Sequence, residues 1–412
     1  MIPIEEAFAL IETHVRELAH EKVSLSESVG RVLAEPVAAD VDSPPHDKSM
    51  MDGFAVRSGD VTGDREKRFT VVETVIAGDW PSIPLKNGQA TRIMTGAPIP
   101  EKADAVVMVE RATVLNEGEF ESVSFDLDSI KPEKHILRCG VNFRNGQTVF
   151  EKGHVVRPTD IGLLAEVGAH EVLVGGRPSV SVLPTGNELV NCDQLPGQGQ
   201  IRNSNGPLLV AMAQALGIRV VNLGIGRDDH DHLKSLIEGG LENDMMLLSG
   251  GVSAGTMDLV PGILQELGVK QVFHKVCVKP GKPIWFGVLE HEGESECRST
   301  CVFGLPGNPV SSLVGFQLFV RAALRKMSSG SIASPANVVM AELSKDHETR
   351  GNRPTYWPAK WVGDETAVRK VEPLVWRGSS DLLALGEADG LVYFEANSEM
   401  HHAGEARRFH PF

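Results

Sequence analysis

The side chains able to hold an anion or a cation gather in five short polar stretches of this 412-residue chain. PTGNEL carries Glu188, GRDDHDHL carries Asp228 and Asp229, and SGGVSAGTMD carries Ser249, Gly250, Gly251, Ser253 and Asp258. HKVCVKPGKPIWFG supplies Lys275, Lys279 and Lys282, and VFGLPGNPVSSLVGF supplies Pro306, Gly307, Asn308 and Pro309 ahead of Ser311 and Ser312. A Gly- and Ser-rich turn entering a helix presents backbone N–H groups to a phosphate. Lysines neutralise such a ligand, and carboxylates beside it need a divalent cation between them, for which Mg2+ is the natural choice. Pro306 and Pro309 stiffen their loop and remove two donors, Gly307 permits a close approach, and the paired serines could cap the next helix or contact an anion. If 274–279 is a strand, Lys275, Cys277 and Lys279 share one face. Each stretch also has an ordinary explanation: the aspartates as helix caps, Glu188 as a solvated acid, the lysines as protection of a sheet edge.

The elements around these stretches alternate. Between 179 and 328, strand-like SVSVL, RVVNLG and DMMLLS are interleaved with helix-like GPLLVAMAQALG, DHLKSLIEGGL and DLVPGILQELG, before a last helix in VSSLVGFQLFVRAALRKM. That pattern predicts an α/β layer with a largely parallel sheet. PTGNEL, GIGRDD, SGGVSAGTMD and GLPGNP each follow a strand, so all should meet at the carboxyl edge of that sheet, where such folds bind ligands. Residues 25–139 are instead β-rich, with FTVVETVI, DAVVMV and ESVSFDL separated by turn residues. There SPPHDKSMMDGFAV, holding Asp52, and IMTGAPIP, holding Thr95, read on their own as tight turns. Ile4, Ala7, Phe8, Ile11 and Val15 predict a helix over 4–19, and Pro158 to Gly168 predicts another. Paired, these two would make a discontinuous domain of 1–24 and 140–178. ANVVMAEL, TYWPAKW, TAVRKVEP and GLVYFEA predict a small β domain over 329–412, giving a multidomain α/β protein.

A net charge of −15 disfavours nonspecific binding to nucleic acid or to an anionic membrane, so any anionic ligand must meet a local basic site. Five cysteines without CxxC spacing indicate neither a disulfide framework nor a zinc site, which fits a reducing cytoplasm. No apolar run approaches the length needed to span a bilayer, so a soluble protein is expected.

Taken in order and spacing, SMMDGFAV, IMTGAPIPEKADAVVMVE, PTGNEL, SGGVSAGTMD, VKPGKPIWFG and GLPGNPVSSL resemble the MoeA family, the molybdopterin molybdenumtransferases related to the E domain of gephyrin. The resemblance spans nearly the whole chain. It implies an elongated homodimer of four-domain subunits: 1–24 with 140–178, 25–139, the molybdopterin-binding 179–328, and 329–412. The active cleft would lie between the α/β and C-terminal domains of one subunit and the β-rich domain of the other. The implied reaction inserts molybdate into adenylylated molybdopterin, releasing AMP and molybdenum cofactor with Mg2+ assisting. Asp52 and Thr95 would enter in trans, and Glu188, Asp228 and Asp258 would position metal and substrate. Lys275 and Lys279 would bind the anion, Pro306 and Pro309 would shape the pterin pocket, and Ser379 in RGSSDLLAL would approach from the C-terminal domain. Further implied partners are the molybdopterin adenylyltransferase of the preceding step and the chaperones of molybdoenzymes. Three positions depart from the family pattern: Asn187 stands where TGDEL is common, His46 where an aromatic is common, and NSN at 203–205 where DSN is common. Two other activities share parts of this pattern. An adenylyltransferase would use a similar α/β domain without residues 25–139, and a scaffold protein would not need the acids and lysines.

Overall fold

Met245–Ser249 is apolar for four residues and buried along its whole length, as a strand covered on both faces must be. It is β3 of a six-stranded sheet with β1 (Ser179–Pro184), β2 (Arg219–Asn222), β4 (Lys270–His274), β5 (Trp285–Glu290) and β6 (Ser299–Leu305), in the order β2-β1-β3-β6-β5-β4. The computed structural model describes residues 1–60, 68–115, 121–125, 130–251, 259–291, 298–332, 338–363 and 369–412. Strands β2, β1, β3 and β6 are parallel, and β5 runs antiparallel to both β6 and β4. Strand β4 therefore points the same way as β6, and its carboxyl end reaches the same edge.

Alternation along β3 divides the interior. Met245 and Leu247 join one apolar cluster, and Met246 and Leu248 join the other. The first cluster is closed by α1 (Ile4–His14), α2 (Asn205–Ala215), α5 (Pro309–Gly315) and α6 (Arg321–Ser329), the second by α3 (His230–Gly240) and α4 (Val260–Glu266). Helices α5 and α6 are joined without a break by a π turn, Phe316–Val320. Helix α1 stops at His14, where Val15 turns extended, and its apolar stripe packs on the 316–329 segment with Phe8 5.4 Å from Phe319.

By its contacts the chain divides into two compact units: Met1–Val23 with Ser28–Ala34 and Leu173–Phe412, and Ser24–Glu27 with Glu35–Val172. Helix α1 belongs to the first unit. Asp160–Glu166 belongs to the other unit, where Leu163 and Val167 pack with Ala39 and Phe143. The stripe of α1 finds its apolar partner in the α/β core.

That second unit carries a six-stranded mixed sheet in the order Ala105–Met108, Gly53–Val56, Gln89–Ile93, Arg68–Val75, Ser122–Phe125, Ala112–Leu115. Gly53 lets the first two of these strands close together, since a Cβ there would lie 1.9 Å from the carbonyl oxygen of Val107. Asp52 is thereby delivered at a strand start.

Residues 339–411 close a five-stranded barrel, β7 (Val339–Leu343), β8 (Thr355–Val362), β9 (Lys370–Pro373), β10 (Gly390–Phe394) and β11 (Ala406–Pro411), ordered β7-β9-β8-β10-β11. Its core includes Val371, Val392, Phe394 and Phe409, and its Tyr356 and Leu391 join the first sheet cluster. His347 lies between Trp357 and Phe394 with Nε2 buried and unpartnered, and burial pushes its pKa from 6.5 down to about 4. Burial does the same to His410 beside Tyr356. The unfolded chain takes up these protons near the ordinary value and the folded chain resists until about 4, so their stabilisation is complete above pH 6.5 and lost as pH falls toward 4. Thermal melts are expected to drop by roughly 5 °C or more across that window, and His347→Phe should flatten the drop.

Candidate active site

The turns at the carboxyl edge are tied to one another by main-chain bonds. Thr185 N donates to Ser249 O at 2.8 Å, Gly186 N to Gly226 O at 3.0 Å, and Gly250 N to Leu305 O at 3.1 Å. Gly250 and Gly251 have φ of +87° and +62°. A Cβ on Gly250 would lie 2.6 Å from Thr185 O, and one on Gly251 2.7 Å from Thr185 Oγ1, so the SGG turn wraps Thr185 where only glycine fits. Gly250→Ala combines a left-handed backbone with a backbone clash and is expected to cost about 2–4 kcal/mol, read as a lowered denaturation midpoint.

Buried Asn205 donates through Nδ2 to Ser249 Oγ at 2.7 Å and to Gly307 O at 2.8 Å, joining the SGG turn to the proline loop. Its Oδ1 and Thr185 Oγ1 are buried without a partner among the described residues. Neither residue stood out in the sequence. The only signal was a polar side chain inside PTGNEL and another at the end of NSN, each followed by more conspicuous neighbours.

The acids resolve into separate roles. Asp229 caps α3, accepting from His232 N at 2.9 Å. Asp228 does not cap it; its Oδ2 accepts from Asn187 N at 3.2 Å, while its own N–H donates to Asn187 Oδ1 at 3.1 Å. The side chain at 187 therefore serves as an acceptor, a role that an aspartate oxygen fills equally well. Glu188 is exposed on the same loop, its carboxylate folded over Gly186. Asp258 and Ser253 lie outside the described residues. Among those described, no three His, Cys, Asp or Glu side chains form a metal cluster.

The lysines are arranged differently from the expected strand face. Strand β4 ends at His274, Lys275 has φ +72°, and the chain beyond it pairs at Val276 with Ile2 instead of continuing the sheet. Lys279 is stitched to β8: its N–H donates to Pro354 O, and Tyr356 N donates to its carbonyl. Lys279, Lys282, Arg353 and Arg377 line a cavity of about 480 Å³ with Trp357 and Trp376, and Lys275 is not among its walls. Lys279 Nζ donates to Arg350 O at 2.9 Å and Arg353 to Val278 O at 2.7 Å. Among the described residues none of the four cations is within ion-pair distance of a carboxylate.

Pro306, Asn308 and Ser311 form the wall opposite, with Ser379 beside them. The start of α5 is not an open anion site. Pro309 has no N–H, Val310 N donates to Ser379 O at 3.0 Å, and Ser312 N donates to Asn308 O at 3.0 Å. Ser379 does approach the proline loop, and the contact it makes is through its main chain. Ser312 Oγ bonds Pro306 O, so one of the paired serines braces the loop from within.

In the other unit Asp52 Oδ1 accepts from Thr95 N at 2.7 Å and Thr95 Oγ1 at 2.8 Å, and these bonds hold its pKa below the usual carboxylate range. Both residues are exposed. His46 packs edge-on against exposed Trp80 with centroids 5.1 Å apart, so an aromatic contact is kept at that position.

A covered α/β sheet whose carboxyl edge opens on a cation-lined cavity defines a protein that handles an anionic small molecule. Three family models match in sequence: the MoeA N-terminal region (domain I and II) over residues 2–168, the probable molybdopterin binding domain over 181–326, and the MoeA C-terminal region (domain IV) over 340–412. A molybdopterin molybdenumtransferase of Staphylococcus aureus (strain COL) is 32% identical over 407 residues, covering 98% of this chain and 94% of its own. One of Staphylococcus epidermidis is 34% identical over 352 residues, covering 84% of this chain and 80% of its own. The crystal structure of the molybdopterin biosynthesis moeA protein from Pyrococcus horikoshii OT3 superposes with a TM-score of 0.80 at 29% identity, covering 100% of both chains. The chain belongs to the MoeA family of molybdopterin molybdenumtransferases. Among the described residues no helix is long and apolar enough to cross a membrane.

Proposed function

We propose that the chain inserts molybdenum from molybdate into adenylylated molybdopterin, releasing AMP and molybdenum cofactor. Family membership makes it a transferase of molybdenum cofactor biosynthesis. The observation that carries the finer reading is the cavity with four cations and no carboxylate partner among the described residues. Molybdate is a compact tetrahedral dianion, and such a cavity offers it charge and directed N–H donors. Pro306 and Asn308 of the proline loop line that cavity and give a stiff wall for a flat pterin beside the oxyanion.

Glu188 and Asp228 present exposed carboxylate oxygens on tied loops, the hard donors that a hard divalent cation takes, and Asp258 would add a third. Mg2+ held there would neutralise phosphate charge on the substrate. Catalysis then rests on charge and position, with no covalent nucleophile needed. The exposed Asp52–Thr95 pair would complete the cleft from the second subunit of a homodimer. The experiment is AMP release from purified adenylylated molybdopterin with and without molybdate and Mg2+, with assay of the cofactor formed. Release requiring both ions, with active cofactor as product, is expected. Tight pterin binding without release would make this a binding protein instead.

A further inference from the structure

We infer that Arg227 is the positioning residue for Glu188, holding the loop on which that acid stands. Three carbonyls of the loop converge on Arg227 Nη1: Leu189 O at 2.8 Å, Asn187 O at 3.2 Å and Gly186 O at 3.4 Å. Carbonyl dipoles turned toward one point repel one another, and a cation at that point converts the repulsion into attraction. Among the described residues no carboxylate pairs with this guanidinium, so its polar contacts are to the turn.

The support continues to the acid itself. Gly186 has φ +146°, and a Cβ there would lie 2.3 Å from Glu188 Oε2, so the carboxylate rests directly on this glycine. The glycine is gripped on both sides, its N–H by Gly226 O and its carbonyl by Arg227. The reciprocal Asn187 and Asp228 bonds then set the second acid relative to the first. The side-chain bonds of Arg227 run to loop carbonyls, so it acts through the loop. A lysine could place one charge near the same carbonyls without the planar fork.

The inference rests on the reading that Glu188 acts in turnover. Four variants test it in the AMP-release assay at saturating molybdate and Mg2+: Glu188→Ala, Arg227→Met, Arg227→Lys, and Glu188→Ala with Arg227→Met. Arg227→Met is expected to lower kcat about 10- to 100-fold while KM for adenylylated molybdopterin stays within about twofold. Arg227→Lys should recover part of the loss. In the Glu188→Ala background, Arg227→Met should cost less than about twofold more, because its effect passes through the missing acid. Multiplicative losses in the double variant, or full kcat in Arg227→Met beside an impaired Glu188→Ala, would overturn the inference and leave the functional reading standing. Full turnover in Glu188→Ala would overturn the inference together with the role given to Glu188, and the insertion reading would stand. If Arg227→Met does not fold, Arg227→Lys carries the same comparison with Glu188→Ala.

Discussion

Lys279→Ala is expected to lower molybdate-dependent turnover by about 100- to 1,000-fold, the usual consequence of removing one preorganised donor from a charge-stabilising site. The lysine is half-buried at the cavity wall and its ammonium is anchored by Arg350 O, so it needs little reorganisation to meet an oxyanion. Alanine keeps the main-chain bonds to Pro354 and Tyr356, which do not depend on the side chain, so the barrel stays attached and the melting temperature should move by only about 2 °C. The loss should appear as a raised molybdate requirement, with binding of the pterin itself affected less. Kinetics and molybdate titration indistinguishable from the parent would take Lys279 out of the site.

Mixing two inactive variants should restore activity. If the cleft takes Asp52 from one subunit and Lys279 from the other, a dimer of Asp52→Ala with Lys279→Ala contains one cleft with both changes and one with neither. Random reassortment of equal amounts makes half the dimers mixed, each with one intact cleft, so about a quarter of parental activity should return. Asp52 is suited to this test because it is exposed and bonds only Thr95, so alanine should cost less than about 1 kcal/mol of stability. No recovery after verified subunit exchange would place both residues in one cleft of a single subunit, or remove the role given to Asp52. A melting temperature lowered by many degrees in Asp52→Ala would instead mark Asp52 as a turn-building residue.

Much of this arrangement was legible because strands covered on both faces advertise themselves. MMLLS and SVSVL could hardly be anything but interior strands once helices alternated with them, and the shared edge followed from direction alone. The barrel strands were visible too, except β11, whose ARRFHP puts two arginines directly before a buried Phe409 and so breaks the apolar alternation. The site was less legible where it depends on contacts far apart in sequence. Nothing in RGSSDLLAL tells that a serine carbonyl will occupy the first free N–H of α5, and nothing in NSN tells that its last amide will bridge two turns. Adjacent Asp228 and Asp229 could not be told apart by type; one caps a helix because it precedes it, and the other is taken by a neighbouring loop. The alternation at 275–279 suggested a strand face, and it was overridden by pairing with the amino terminus at Val276.

The π turn at Phe316–Val320 sets a constraint of a different kind. It takes up one residue more than an α-helical turn would, and each residue of an α-helix advances about 100° around its axis. Helix α5 is fixed in azimuth by the proline loop and Ser379, and α6 is fixed by α1, and the π turn lets the chain carry a surplus residue without rotating one against the other. Deleting one residue between 316 and 320 would let the segment close as an ordinary α-helix with Ala323, Leu324 and Met327 still on the α1 stripe, whereas inserting a further residue would swing them off it by about 100°. This joint therefore has a residue to lose and no room to gain one, so a single deletion there should be tolerated far better than a single insertion.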